Sequence, residues 1–387
     1  MLSENYNFYG INKNKIDFIK KYGRNYGIDL LRIFSMINII NLHINIFSRL
    51  LFSKFSSPKY KSIWRLEVYS YPAVNCFGLI SGIVGYKKYK FSNLIYLWLT
   101  VFFYSISISL YLFIVKDVGI NQKMLFLSLF PILIKRHWYV NAYFSMYLLI
   151  PFINYGIHYL NRDFLKNTVI FFLFFYSIYN LIAKYLNLNS NFNFLLEGYS
   201  SMWLILLYII GAFLGKYIID YNNNNIILFI KCLIFFVATF FSSEIYFKLI
   251  QLKSKIKKNI FISYLSPTMV IQAITLVMIF SQIKIKNKFL IKILSFLTPL
   301  NFSAQLIHAR LFQTKIKIIK ILFRWVLMFK PNLLFFKIYG VGIIIYFICI
   351  FIDYLRFLIF KFLRIRNFTL FIEKEIPKKI NKKLICI

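Results

Sequence analysis

Apolar stretches of about twenty residues recur from one end of this 387-residue chain to the other. A helix rising ~1.5 Å per residue needs ~20 such residues to cross ~30 Å of hydrocarbon. The repetition predicts an all-α fold, a polytopic helical membrane protein. About ten transmembrane helices are expected, near 28–47, 68–86, 92–115, 137–157, 167–186, 200–219, 225–247, 259–281, 291–312 and 333–360. Met124–Ile134 is apolar but too short to cross, and it holds Pro131. It reads as a re-entrant or interfacial segment. Lys315–Lys330 alternates basic residues with Ile, Leu, Phe and Trp325, the pattern of an amphipathic surface helix.

Hydrophobic residues make up 60% of the chain, against roughly 45–50% in soluble domains. The net charge is +36, from 48 Lys+Arg against 12 Asp+Glu. These basic residues lie in short connections between apolar runs, where they meet anionic headgroups. Membrane lipids, and no nucleic acid, are the partners this pattern implies. Cys76, Cys232, Cys349 and Cys386 are scattered without a CxxC pair, so neither a disulfide framework nor a metal site is expected.

Residues 1–26 form a polar, basic segment without a cleavage site, expected in the cytoplasm. Residues 27–363 form the membrane-embedded domain, and 364–387 a short basic tail. An even number of spans puts both ends on one side. Lys87–Lys90, Lys284–Lys292 and the tail from Lys361 mark that side as cytoplasmic. Lys248–Lys258 and Lys315–Lys330 are equally basic and fall on the other side, which blurs the signal.

Ionisable residues inside an apolar run are costly and are presumed functional. In the first span Asp29, Arg32 and His43 are such residues. Each helical residue advances ~100°, so Arg32 and His43 point within ~20° of one another and lie ~16 Å apart along the axis. Asp29 precedes Arg32 by one turn and can pair with it. The stripe must face the bundle interior or a wet cavity.

The run Arg24-Asn-Tyr-Gly-Ile-Asp-Leu-Leu-Arg32, followed by ten residues and His43, resembles the opening signature of acyltransferase family 3. These are integral-membrane O-acetyltransferases of surface polysaccharides. Cys76-Phe-Gly-Leu-Ile-Ser-Gly82 is similar to the family's second-helix segment. His137-Trp-Tyr-Val-Asn-Ala-Tyr through Pro151-Phe-Ile-Asn154, and Gly198 to Gly211, resemble further spans. Asn301-Phe-Ser-Ala-Gln-Leu-Ile-His308 is similar to the late segment that ends in His, with Ser303 and Gln305 where Gly and Tyr are usual. An Arg-x-x-Arg pair of some members is replaced by Lys87 and Lys88.

The resemblance implies acetyl-CoA as donor substrate, no tightly bound cofactor, and a hydroxyl of a cell-surface or lipid-linked glycan as acceptor. The setting it implies is a bacterial cytoplasmic membrane. Imidazole titrates near working pH, so His43 is the expected general base or, alternatively, the acyl carrier. Arg32 would hold a donor phosphate or the thioester oxyanion, and Asp29 would orient Arg32. Ser81, His137, Trp138 and His308 are weaker candidates for donor or acceptor contacts. For Ser81, close helix packing is the competing explanation, and for Trp138, interfacial anchoring. A transporter or flippase of a polysaccharide or lipid-linked substrate is the alternative. Paired broken helices and repeats, common in carriers, are not evident, and no pair of intramembrane carboxylates stands out.

Overall fold

The computed structural model describes residues 24–53, 57–87, 89–115, 121–132, 138–186, 193–219, 225–252, 260–313 and 331–384. All regular structure among them is helical. Helix α1 spans Tyr26–Phe47. Its start is set by Asn25, whose side chain accepts from the Gly27 and Ile28 amides at 3.0 and 3.2 Å. Such a cap stabilises a helix by about 1 kcal/mol. Asp29 in the first turn complements the helix dipole. Helix α1 runs between two apolar clusters. Ile28, Leu31 and Ile39 belong to one, and Met36, Ile40 and Ile44 to the other. Both faces are therefore buried, which explains why its polar stripe is internal.

The chain returns through α2 (Pro58–Ser70) and α3 (Ala73–Gly85), which together make one span, Lys59–Gly85. The sequence reading started this span at 68 and so missed most of α2. Ser57 caps α2 and Pro58 occupies its first turn. Lys59, Lys61 and Arg65 dilute the hydropathy here, but Ile63, Leu66 and Val68 are fully buried. Tyr71 and Pro72 form the joint between α2 and α3.

The remaining helices follow in order. They are α4 (Phe91–Ile114), the short α5 (Gln122–Leu127), α6 (Trp138–Tyr159) and α7 (Arg162–Leu173). A π-helical turn then leads into α8 (Tyr179–Tyr185). After it come α9 (Ser201–Phe213), α10 (Asn225–Gln251), α11 (Pro267–Gln282), α12 (Lys288–Gln313), α13 (Pro331–Phe362) and α14 (Ile365–Leu384).

Each of the ten expected intervals is occupied by helix. Eight segments among the described residues are long and apolar enough to cross a membrane. The two others differ for identifiable reasons. Helix α6 has 22 residues, but Asn141, Ser145 and Asn154 make it more polar. Helix α11 begins at Pro267 rather than 259 and has 16 residues. Ahead of it the Ser266 hydroxyl donates to the Ser263 and Phe261 carbonyls at 2.7 and 3.0 Å, which holds the chain in turns. Among the described residues of Met124–Ile134 only the end of α5 is helical, and Ser105 donates to the Ser128 carbonyl at 2.7 Å to tie the segment to α4. Residues 1–23 and Lys315–Lys330 lie outside the described residues.

Contacts near the helix ends show successive spans alternating in direction. At the Arg24 end, Asn25 donates to the Ser281 carbonyl of α11 at 2.9 Å, and Asn154 of α6 donates to the Gly85 carbonyl of α3 at 2.9 Å. Lys216, just beyond α9, donates to the Ile157 carbonyl at 2.8 Å. At the opposite end Arg65 pairs with Glu244 at 2.9 Å, and Lys184 pairs with Glu197. Arg24 and the start of α14 thus lie on the same side. There α14 packs on α4, with Arg366 donating to Asn93 at 2.9 Å.

Candidate active site

The polar stripe of α1 resolves into two stations. Near the Arg24 end, Asp29 is 1% exposed and is gripped from both sides. Arg32 Nη1 donates to Oδ1 at 2.7 Å and Arg24 Nε to Oδ2 at 2.5 Å. The Asn301 amide of α12 donates to the Arg32 carbonyl at 3.0 Å and locks the two helices in register. The Arg32 guanidinium stays partly exposed and lies within electrostatic reach of the Tyr143 phenol. Ser81 borders the same phenol while its hydroxyl donates back to the Phe77 carbonyl at 2.8 Å. Gly82 beside it is a packing residue: a Cβ there would sit 2.0 Å from the Tyr208 carbonyl of α9.

The second station is His43, about 16 Å further along α1. Arg32 and His43 share a face but not a contact site. His43 instead meets His308 of α12, with Nδ1 of His43 2.8 Å from Nε2 of His308. His308 is fully buried, and its Nδ1 lies 2.5 Å from the Ala304 carbonyl. A carbonyl only accepts, so His308 carries its proton on Nδ1 and offers the Nε2 lone pair. With both rings neutral, His43 donates from Nδ1, which places its own basic lone pair on Nε2. The polarity of the pair follows from that one carbonyl.

His43 lines a cavity of about 170 Å³. Trp138 and Gln305 share its wall, and so does Glu67 of α2. Glu67 is 4% exposed and accepts from the Asn45 amide at 2.9 Å. The sequence reading missed Glu67 because it sits in the basic segment not assigned to a span. The one signal was a carboxylate between Leu66 and Val68. It also missed the Arg24 contribution to Asp29 and the buried pair of Asp353 with Arg356, at 2.7 Å, which takes a further bond from the Tyr104 phenol at 2.7 Å. His137 lies outside the described residues. His158 ends α6, away from this cavity.

A second, more open cleft of about 410 Å³ lies between α4 and α12 toward the Arg24 end. Asn93, Arg356 and Arg366 border it, and Phe302 lines both cavities. No group of His, Cys, Asp and Glu able to hold a metal occurs among the described residues. The side chains gathered here are two imidazoles near a carboxylate, with guanidinium groups toward the Arg24 end.

A family model for an acyltransferase domain, acyltransferase family 3, matches residues 25–358. Comparison with curated proteins and with solved structures returns no match. The matched stretch runs from the α1 cap through most of α13 and includes Asp29, Arg32, His43 and His308. An ordered set of polar residues buried in a helical membrane bundle thus coincides with a model covering most of the chain, and the chain belongs to acyltransferase family 3.

Proposed function

We propose that this membrane acyltransferase moves an acetyl group from acetyl-CoA to a hydroxyl of a cell-surface or lipid-linked glycan in a bacterial cytoplasmic membrane. The observation that carries the proposal is the His43–His308 pair at a cavity wall, polarised by the Ala304 carbonyl. His43 Nε2 takes the acceptor hydroxyl proton as its oxygen attacks the acetyl carbon. The new C–O bond forms and the C–S bond breaks. The departing thiolate recovers the proton from His43. His308 accepts from His43 Nδ1 throughout, which fixes the ring and steadies the transient imidazolium.

Arg32, oriented by Asp29, meets an anionic group of the donor from the Arg24 end. The long flexible arm between the phosphates and the sulfur of CoA bridges a gap of the order that separates Arg32 from His43. The α4–α12 cleft, bordered by Arg366, gives the donor an approach from the same end, and Phe302 divides it from the His43 cavity. Asn93, Tyr96 and Arg356 make this approach polar within an otherwise apolar bundle.

Full-length protein in nanodiscs, given labelled acetyl-CoA and glycan, tests the proposal. His43→Ala should lower transfer by ~10²–10⁴-fold, the usual contribution of a general base. His308→Ala should lower kcat with little change in KM for the donor, because it loosens a group that acts in the transition state. Transfer by His43→Ala equal to that of wild type would sink the reading. Surface-glycan acetyl content, measured by mass spectrometry in cells with and without the gene, should fall when the gene is lost.

A further inference from the structure

Glu67 keeps unusual company for a carboxylate inside a span. Asp29 has two guanidinium partners and Asp353 has Arg356. Glu67 is as deeply buried, yet its hydrogen-bond partner is the neutral amide of Asn45, and no described cation pairs with it. Burial of such a group is costly, and an ionisable residue inside a span and at a cavity wall is a candidate for contact with a ligand. Gln305 in the same wall has a buried Oε1 with no hydrogen-bond partner among the described residues. Both residues border one small space.

The rest of that wall is apolar: α1 and Val74 give it an aliphatic side, and a cluster of aromatic rings gives it another. Tyr71 and Tyr264 have ring centroids 4.6 Å apart, Trp138 and Tyr199 4.6 Å, and Tyr199 and Tyr264 5.0 Å. These rings come from the α2–α3 joint, the start of α6 and the segments ahead of α9 and α11. All of these lie at the end opposite Arg24. Glu197, at φ 57, and Gly198, at φ 95, bend the chain sharply just before Tyr199. A Cβ on Gly198 would come within 2.5 Å of the Tyr264 side chain, so the bend also sets the spacing of the two tyrosines. A cavity near 150 Å³ accommodates one six-membered carbon ring. This one, at about 170 Å³, has room for one ring that is apolar on its faces and hydroxylated at its edge.

We propose that this end of the His43 cavity is the acceptor subsite, taking a single pyranose ring. The aromatic wall receives the C–H face. Glu67 Oε1 or Oε2 and Gln305 Oε1 accept hydrogen bonds from hydroxyls next to the one that reacts. Glu67 is a positioning residue in this scheme: it selects which hydroxyl is presented to His43 and takes no proton in the transfer. The inference rests on the acyl-transfer reading above and adds a location, a ring size and a residue that chooses the position acylated.

Full-length protein in nanodiscs tests it in two measurements. One is hydrolysis of acetyl-CoA without glycan, in which water takes the place of the acceptor hydroxyl and acetate and thiol are released, and the other is transfer to a panel of methyl pyranosides and short oligosaccharides. Glu67→Gln keeps the shape and the Asn45 contact, and a thermal unfolding curve checks that it folds. It should keep thiol release within twofold of wild type, raise the acceptor KM at least tenfold and change the ratio of positions acylated. Glu67→Asp should recover part of the loss, and Tyr264→Ala should raise the acceptor KM alone. The proposal is overturned if Glu67→Gln leaves acceptor KM and position unchanged, if both measurements fall in parallel, or if no pyranoside is acylated by wild type. Failure of the acyl-transfer reading looks different: wild type releases no thiol with or without acceptor, or His43→Ala releases it equally well.

Discussion

Asp29, Asp353 and Glu373 show how differently single carboxylates are used here. The first two are sealed inside the bundle with arginines, and removing either partner would strand a buried charge. Glu373 sits on α14, outside the spans, facing the first turn of α4. The Ser92 hydroxyl, with the amides of Ser92 and Phe91 and the Lys90 charge, holds its carboxyl below the ordinary range, against the opposing effect of burial. A depressed carboxyl stabilises the docked state above its unfolded value, and that contribution fades as pH falls through the depressed one. We expect Glu373→Gln to speed hydrogen exchange in residues 365–375 at pH 7 relative to wild type. The difference should disappear when both are compared well below the ordinary Glu value of about 4.3. A difference that persists unchanged in acid would refute the docking role. His43 and His308 are legible at this scale as isolated intramembrane histidines. Their contact is not, because 265 residues separate them and only the fold sets their distance.

At the level of elements, hydropathy located helices and failed where a helix is amphipathic or short. Helix α2 was hidden by Lys59, Lys61 and Arg65, and with it went Glu67. Helix α11 was drawn too long because Ile260, Phe261 and Ile262 look like span residues although they belong to the turns before Pro267. The second-helix signature, in contrast, has a clear packing meaning. Gly82 lets α3 approach the α9 backbone at Tyr208, and Gly211 of α9 lets α9 approach Leu79 in return. Gly82→Leu should therefore abolish folding, seen as aggregation on size exclusion in detergent, while Gly82→Ala should lower the thermal midpoint by several degrees. Gly156 of α6 has open space around it. Gly156→Ala should leave the midpoint unchanged or raise it, since alanine favours a helix over glycine by up to ~1 kcal/mol. Equal effects at the two glycines would show that close approach is not what Gly82 provides.

For the whole molecule, the alternation of spans puts Arg24, Lys87, Lys286 and Arg366 at one end and Arg65, Lys123 and the aromatic wall of the His43 cavity at the other. In a cysteine-free background, replaced at Cys76, Cys232, Cys349 and Cys386, Lys123→Cys should react with an impermeant maleimide added outside intact cells. Lys286→Cys should react only after lysis. The reverse pattern would place the acceptor subsite on the cytoplasmic side. Length and hydropathy of the runs were enough to determine a helical membrane protein and its approximate spans, because crossing hydrocarbon leaves the backbone no other way to satisfy its hydrogen bonds. Periodicity within α1 was enough to align Asp29, Arg32 and His43. What faces that stripe was decided only by tertiary structure. Which helix lies opposite, which way a histidine's proton points and which carboxylate shares its cavity depend on side chains far apart in sequence, and a span's hydropathy is indifferent to its neighbours.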